Sequence, residues 1–237
     1  SRLPTKWRFA KIGAVAGTDD QAAEECPNPD TSADFIGDPK ANVGSAEFGT
    51  GAATLRAGSI GEKLDLSAPF TVEGWYKWDN AQGAVQETLV GAWNATKAGG
   101  WRVTIDSREA SPAYRLQVKV PTPGTEFVNV AFDAKPVVAG AWTHVAVEYD
   151  PSAGFGTWTL FVNGRKAGTA VNAFRPAAVD LGDWARDLTI GSQSGDGTTA
   201  FAGLVDMWRV TSGILDRKEL LNYYRKGLMI LLKGGEK

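Results

Sequence analysis

The chain is short of the residues from which metal and redox centres are most often built. Its 237 residues include one cysteine, Cys26, and one histidine, His144. A lone cysteine makes no intrachain disulfide, and a lone histidine rules out a multi-histidine metal site or a Cys/His cluster. A surplus of one charge is lacking as well. Twenty-five basic residues against 27 acidic ones leave −2, which offers no basic footprint for nucleic acid or an anionic membrane. No apolar run approaches the ~18 residues of a membrane span. The opening SRLPTKWRF lacks the apolar core of a signal peptide. The expectation is a protein without nucleic-acid partners or membrane insertion, either cytosolic or already relieved of a leader.

Glycine and tryptophan, in contrast, are plentiful, at 28 and nine residues. Many glycines suit many turns between short strands. Most of the tryptophans are expected to fill a core, leaving one or two as stacking platforms for a ligand. The length suits one core, and all-β sandwiches often run to this size as one domain. Residues 1–237 are therefore read as a single domain.

The clearest local signal is Trp142–Gly168. Thr143, Val145, Val147 and Tyr149 alternate with Trp142, His144, Ala146 and Glu148, the period of a strand. Asp150-Pro151-Ser152 supplies a turn. Trp158–Val162 resumes the alternation, and Asn163-Gly164 is the dipeptide best able to take the two positive φ values of a type I′ hairpin. Phe70–Trp78 alternates as cleanly, with Phe70, Val72, Gly74, Tyr76 and Trp78 on one side and Thr71, Glu73, Trp75 and Lys77 on the other.

Further strands are expected at Lys6–Phe9, Glu87–Trp93, Trp101–Asp106, Tyr114–Val120, Glu126–Phe132, Lys166–Val171 and Asp187–Gly191. Ser45–Phe48 and Ala52–Ala57 read as a strand pair. Phe201–Val210, apolar on both faces apart from Asp206 and Arg209, reads as a central strand. The acidic, proline-rich stretch 17–44 reads as a long surface loop with a helical turn at Gln21–Glu25. Asp216-Arg-Lys-Glu219 has capping-box spacing and should open a short helix carrying Leu220, Leu221, Tyr223 and Tyr224. Residues 228–237 form a tail.

In order and type these marks resemble a laminin-G-like, concanavalin A-like domain of the bacterial kind. The matching residues are Trp7-Arg8-Phe9, Phe70-Thr-Val-Glu-Gly-Trp75, Trp142-Thr-His-Val-Ala146 with Tyr149-Asp150, Leu160-Phe-Val-Asn-Gly164, Leu188-Thr-Ile-Gly191 and Phe201-Ala-Gly-Leu-Val-Asp206. The resemblance implies an all-β, two-sheet antiparallel jelly-roll sandwich with a short C-terminal helix. It also implies a non-catalytic module that binds glycans or proteins, often with a structural calcium, within a larger secreted or surface protein. Met207 departs from the pattern, since relatives often carry an acidic residue there.

The residues themselves offer little catalytic machinery. His144 lies mid-strand with no nucleophile elbow near it and reads as scaffold, bonded to a neighbouring strand or loop. A glycosidase of this fold needs two carboxylates about 5–5.5 Å apart to retain configuration, carried on one strand as E-x-D-x-x-E or E-x-D-x-E, and no such string occurs. Glu73 and Glu148 stand alone on their strands. Asp206, flanked by Val205 and Met207, needs a cation or hydrogen-bond donors once buried. If that cation is calcium, with its six to eight oxygen ligands, Asp196 and Asp19 or Asp20 are the residues placed to join it. For a sugar, loop aromatics with polar neighbours are wanted. Trp93, Phe155 and Trp184, the last flanked by Asp183 and Arg186, are the candidates, each equally readable as packing under its loop.

The sequence thus points to a carbohydrate-binding or adhesion module. The alternatives are a structural or protein-interaction domain of a larger assembly and, third, a divergent glycosidase.

Overall fold

Phe70–Trp78 forms a nine-residue strand at the middle of the larger of two sheets. The computed structural model describes residues 7–8, 18–22, 45–48, 55–56, 68–81, 83, 85–93, 100–108, 110–119, 128–131, 137–152, 156–171, 189–191 and 199–220. In chain order the strands are β1 (Trp7–Arg8), β2 (Thr18–Ala22), β3 (Ser45–Phe48), β4 (Leu55–Arg56), β5 (Phe70–Trp78), β6 (Gln86–Trp93) and β7 (Gly100–Asp106). They continue with β8 (Ala113–Lys119), β9 (Val128–Ala131), β10 (Trp142–Asp150), β11 (Thr157–Val162), β12 (Arg165–Val171), β13 (Thr189–Ile190) and β14 (Gly203–Ser212).

The larger sheet runs β12-β11-β10-β5-β14-β3-β2, with β1 also on β14, and the smaller runs β4-β13-β6-β7-β8-β9. All described pairings are antiparallel. The chain is an all-β sandwich of two antiparallel sheets.

The core lies where the inner faces meet. Phe70, Val72, Tyr76 and Trp78 of β5 and Val145, Val147 and Tyr149 of β10 pack there with Trp101, Val103 and Ile105 of β7 and Leu116 and Val118 of β8. Aromatic rings bridge the layers. Trp101 lies 5.5 Å from Phe70 and 5.3 Å from Trp158, and Trp158 lies 4.6 Å from Tyr149, measured between centroids. Each such ring removes roughly 150–250 Å² from water. Tyr76 and Tyr114 share a short hydrogen bond across the sandwich. Burial, before any other cause, raises both phenols, Tyr114 to about 12.

Two glycines show why these strands meet as they do. A Cβ on Gly74 would fall 2.3 Å from the Trp208 ring, so the missing side chain is the space that this indole fills. Gly203 opens β14 at φ +140°, with its virtual Cβ 2.1 Å from the Lys77 carbonyl. No other residue fits that start. The turn between β11 and β12 forms as its sequence dictates, with Asn163 and Gly164 at φ 50° and 70°.

Three expectations are corrected. Thr18–Ala22 is a strand, not the start of a loop with a helical turn. Among the described residues it ends the strand order of the larger sheet, and charged residues are tolerated at an edge. β3 and Leu55–Arg56 do not pair with each other. β14 and β2 occupy the two sides of β3, so β4 pairs with β13 in the other sheet. The Asp216–Glu219 box does form, Asp216 N–H donating to Glu219 Oε2 at 2.8 Å. It opens only a 3-10 turn at Arg217–Glu219, because Leu220 is already extended at φ −68°, ψ 142°. Residues 221–237, with the rest of the expected helix and the tail, lie outside the described residues, as does most of 17–44.

Gly74→Ala should destabilise the fold by about 2–3 kcal/mol through overpacking against Trp208. The urea midpoint should fall with an unchanged slope; an unmoved midpoint would contradict the close approach.

Candidate functional site

The outer face of the smaller sheet carries a continuous polar row. Along β7, Trp101, Val103 and Ile105 turn inward, so Arg102, Thr104 and Asp106 turn outward. Register places Gly91 and Gln117 beside Arg102, Thr88 and Arg115 beside Thr104, and Gln86 beside Asp106. These side chains bond to one another. Arg102 donates through Nε to Gln117 Oε1 and through Nη1 to Thr199 Oγ1 at 3.3 Å. Thr88 and Thr199 share a hydroxyl bond of 2.7 Å, and Gln86 Nε2 donates to Thr104 Oγ1 at 3.0 Å.

At the far end Arg108 grips Asp106 with Nε and Nη2 at 2.8 and 2.7 Å, with Arg115 at 3.6 Å. The Arg108 hydrogen bonds hold the Asp106 carboxyl below its ordinary range. Gln86, Arg115, Gln117 and Thr199 are half-buried and Arg108 is exposed. The face therefore presents Gln86, Arg108, Arg115, Gln117 and Thr199 in fixed orientations, backed by buried Thr88, Thr104 and Asp106 and by Arg102, which is 7% exposed.

The outer face of the larger sheet is chemically different. Glu73, fully buried, accepts from Arg209 on β14 and lies 2.9 Å from His144 Nε2 on β10. Arg209 also donates to the Glu219 carbonyl. Residues 213–220 follow the same face. Gly213 N–H donates to Pro69 O at 2.7 Å, Thr71 Oγ1 to Gly213 O at 2.9 Å, and Arg217 Nε to Gly164 O at 2.6 Å.

Glu148 pairs with Thr71, beside Ala146, which pairs with Glu73. The two carboxylates are therefore diagonal neighbours. Burial, and then the Glu73 charge, push the Glu148 carboxyl up to about 7 against the pull of Lys166. Among the described residues its Oε1 has no hydrogen-bond partner, and neither do Trp75 Nε1, His144 Nδ1 or Thr211 Oγ1 on this same face.

The Laminin G 3 family, described as the concanavalin A-like lectin/glucanases superfamily, matches residues 48–220. The chain belongs to this family. Solved structures share the fold of this laminin-G-like chain at low identity. The CBM40 domain of the Ruminococcus gnavus IT-sialidase is 17% identical at TM-score 0.52, over 75% of this chain and 94% of that one. NanB with Optactamide is 14% identical at TM-score 0.54, over 73% of this chain and 26% of that one. The binding domain of botulinum neurotoxin serotype D is 11% identical at TM-score 0.53, over 79% of this chain and 43% of that one. No curated protein sequence matches.

The site residues expected from sequence are not gathered in one place in this laminin-G-like chain. Phe155, Asp183, Trp184, Arg186 and Asp196 lie outside the described residues. Trp93 ends β6 opposite Gly100, two residues beyond Gly91. Asp206 is 9% exposed and pairs with Trp75, whereas Asp19 lies on β2 opposite Glu47. Calcium requires six to eight oxygens, and among the described residues no three His, Cys, Asp or Glu side chains come together.

His144 is fully buried and bonds to Glu73 on the next strand. Sequence reasoning missed Arg102, Gln117 and Thr199. The spacing of Arg102 and Thr104 on one side of β7 was the available signal, weak because polar alternation also marks any solvated face.

The Glu148 shift makes stability depend on pH. The folded chain keeps this proton up to about pH 7, whereas the unfolded chain releases it near 4.5. The contribution is complete below the lower value and is lost as pH rises through the higher one. Between pH 5 and 8 the melting temperature of the wild type should fall relative to Glu148→Gln. Parallel curves for the two proteins would refute the assignment.

Proposed function

We propose that the chain is a non-catalytic carbohydrate-binding module and that the outer face of the smaller sheet receives the glycan. The supporting observation is the row Gln86–Thr104, Thr88–Thr199–Arg102–Gln117 and Arg115–Asp106–Arg108. Sugar hydroxyls both donate and accept, and planar amides and guanidinium groups held in place bond adjacent hydroxyls without first losing side-chain freedom. A fold shared with a CBM40 domain supports this reading. The same fold forms only part of two longer chains, which supports a module within a larger secreted or surface protein.

The larger sheet's outer face suits a scaffold better. Its carboxylates approach each other, but Glu73 is 0% and Glu148 7% exposed. The oxygens of Glu73 are committed to His144 and Arg209, whereas a glycosidase pair must flank a reachable sugar.

A glycan array probed with and without calcium tests the reading and the calcium expectation together. The wild type should retain at least one glycan class, and Gln117→Ala with Gln86→Ala should weaken that binding about tenfold or more, as expected when two hydrogen bonds of roughly 1 kcal/mol each are lost. An empty array, with a stable homo-oligomer by light scattering, would instead favour a structural role.

A further inference from the structure

One residue in the polar row is held in a conformation that its own chemistry resists. Thr199 has φ 59°. For a β-branched residue the left-handed region is a true outlier, because the branched side chain crowds the backbone. Such strain persists only where the surroundings fix it, and it concentrates at functional sites.

The surroundings of Thr199 are explicit. Its carbonyl accepts the Thr88 N–H at 2.7 Å, and its hydroxyl meets the Thr88 hydroxyl at 2.7 Å. Arg102 Nη1 donates to the same hydroxyl at 3.3 Å. Just beyond it, Phe201 N–H donates to Gly191 O at 2.7 Å, and Gly191 N–H donates to Leu89 O at 3.1 Å. Residues 191 and 199–201 are thus tied to Thr88 and Leu89 of β6.

The strain serves a geometric end. With Gln117 on one side and Thr199 on the other, the Arg102 guanidinium is fixed at two of its nitrogens. Gly91 is the β6 partner of Arg102, and a Cβ there would come within 2.7 Å of Arg102 Cβ. A glycine inside a strand is a recurrent sign of close approach by another group. A residue with relaxed backbone preferences could offer the same carbonyl to Thr88. Threonine adds the hydroxyl that Arg102 and Thr88 share.

We propose that Thr199 is a positioning residue for ligand recognition, its strained backbone placing the hydroxyl that orients Arg102 on the glycan face. The proposal rests on the carbohydrate reading above and adds the residue that sets the geometry of that site. Thr199 acts through Arg102 and need not touch the sugar itself.

Three variants of the full chain test it: Thr199→Ser, Thr199→Ala and Thr199→Gly. Each is applied to an array of neutral, uronic-acid and sialylated oligosaccharides and melted in parallel. Serine keeps the hydroxyl and should bind within twofold of the wild type. Alanine and glycine lose it and should bind about five- to tenfold more weakly, the effect of one positioned hydrogen bond. Glycine alone relieves the backbone, so its melting temperature should exceed that of the alanine variant by about 2–4 °C. Alanine binding like the wild type, or serine binding as weakly as alanine, would overturn the positioning role while leaving the carbohydrate reading intact. Equal melting of the glycine and alanine variants would overturn the strain. A wild type that retains no glycan would remove both readings.

Discussion

The irregular pairing of β14 with β5 is the constraint on which the rest of this sandwich depends. Asp206 pairs with Trp75 and Arg209 with Glu73, so three steps along one strand match two along the other. In a regular strand, residues 206 and 209 would face opposite sides. The extra residue places both on the outer face and sends Trp208 inward onto Gly74. Arg209 thereby reaches Glu73, and through its second contact it reaches the carbonyl of Glu219. Core filling, the buried ion pair and the course of the C-terminal segment all follow from that one added residue.

The two outer faces show how differently a sheet can treat polar groups. On the larger sheet, charge is concentrated in Glu73, His144, Glu148 and Arg209, all 7% exposed or less. Removing one member of such a cluster strands the others, at a cost of roughly 3–5 kcal/mol for a buried pair, so the cluster resists rearrangement. On the smaller sheet neutral bonds, Gln86–Thr104 and Thr88–Thr199, stand beside charged ones from Arg102 and Arg108, and several members are half-buried. Neutral bonds of about 1 kcal/mol each exchange readily for bonds to a ligand. The first face is closed by buried charge, whereas Gln86, Arg115, Gln117 and Thr199 leave the second partly open to solvent.

Much of this was legible in the sequence, and the rest was hidden for definite reasons. Phe70–Trp78 and Trp142–Asp150 alternate so regularly that strand, facing and near-exact bounds could be read directly. Asn163-Gly164 announced its turn. Ser45–Phe48 was recognised as a strand but given the wrong neighbour, because local pattern does not encode which distant strand arrives alongside. Thr18–Ala22 carries two aspartates and reads as loop, since an edge strand needs little of the apolar signal that central strands need. The polar face was harder still. Arg102 and Gln117 are 15 residues apart, Thr199 lies 97 residues beyond Arg102, and only hairpin register and a long-range loop contact bring them together. Trp93 and Trp184 drew attention as aromatics, whereas the row that the sheet assembles is built from amides, hydroxyls and arginines.

The hydroxyl bond between Tyr76 and Tyr114 ties the two sheets to each other through their phenols, deep in the core. A phenolate there would lose the proton that the pair shares and would sit in a medium that solvates charge poorly. Burial raises both phenols, Tyr114 to about 12, so the ionisation of this pair is held back into alkaline solution. The core in which this bond joins the two layers is thus also what keeps both rings neutral.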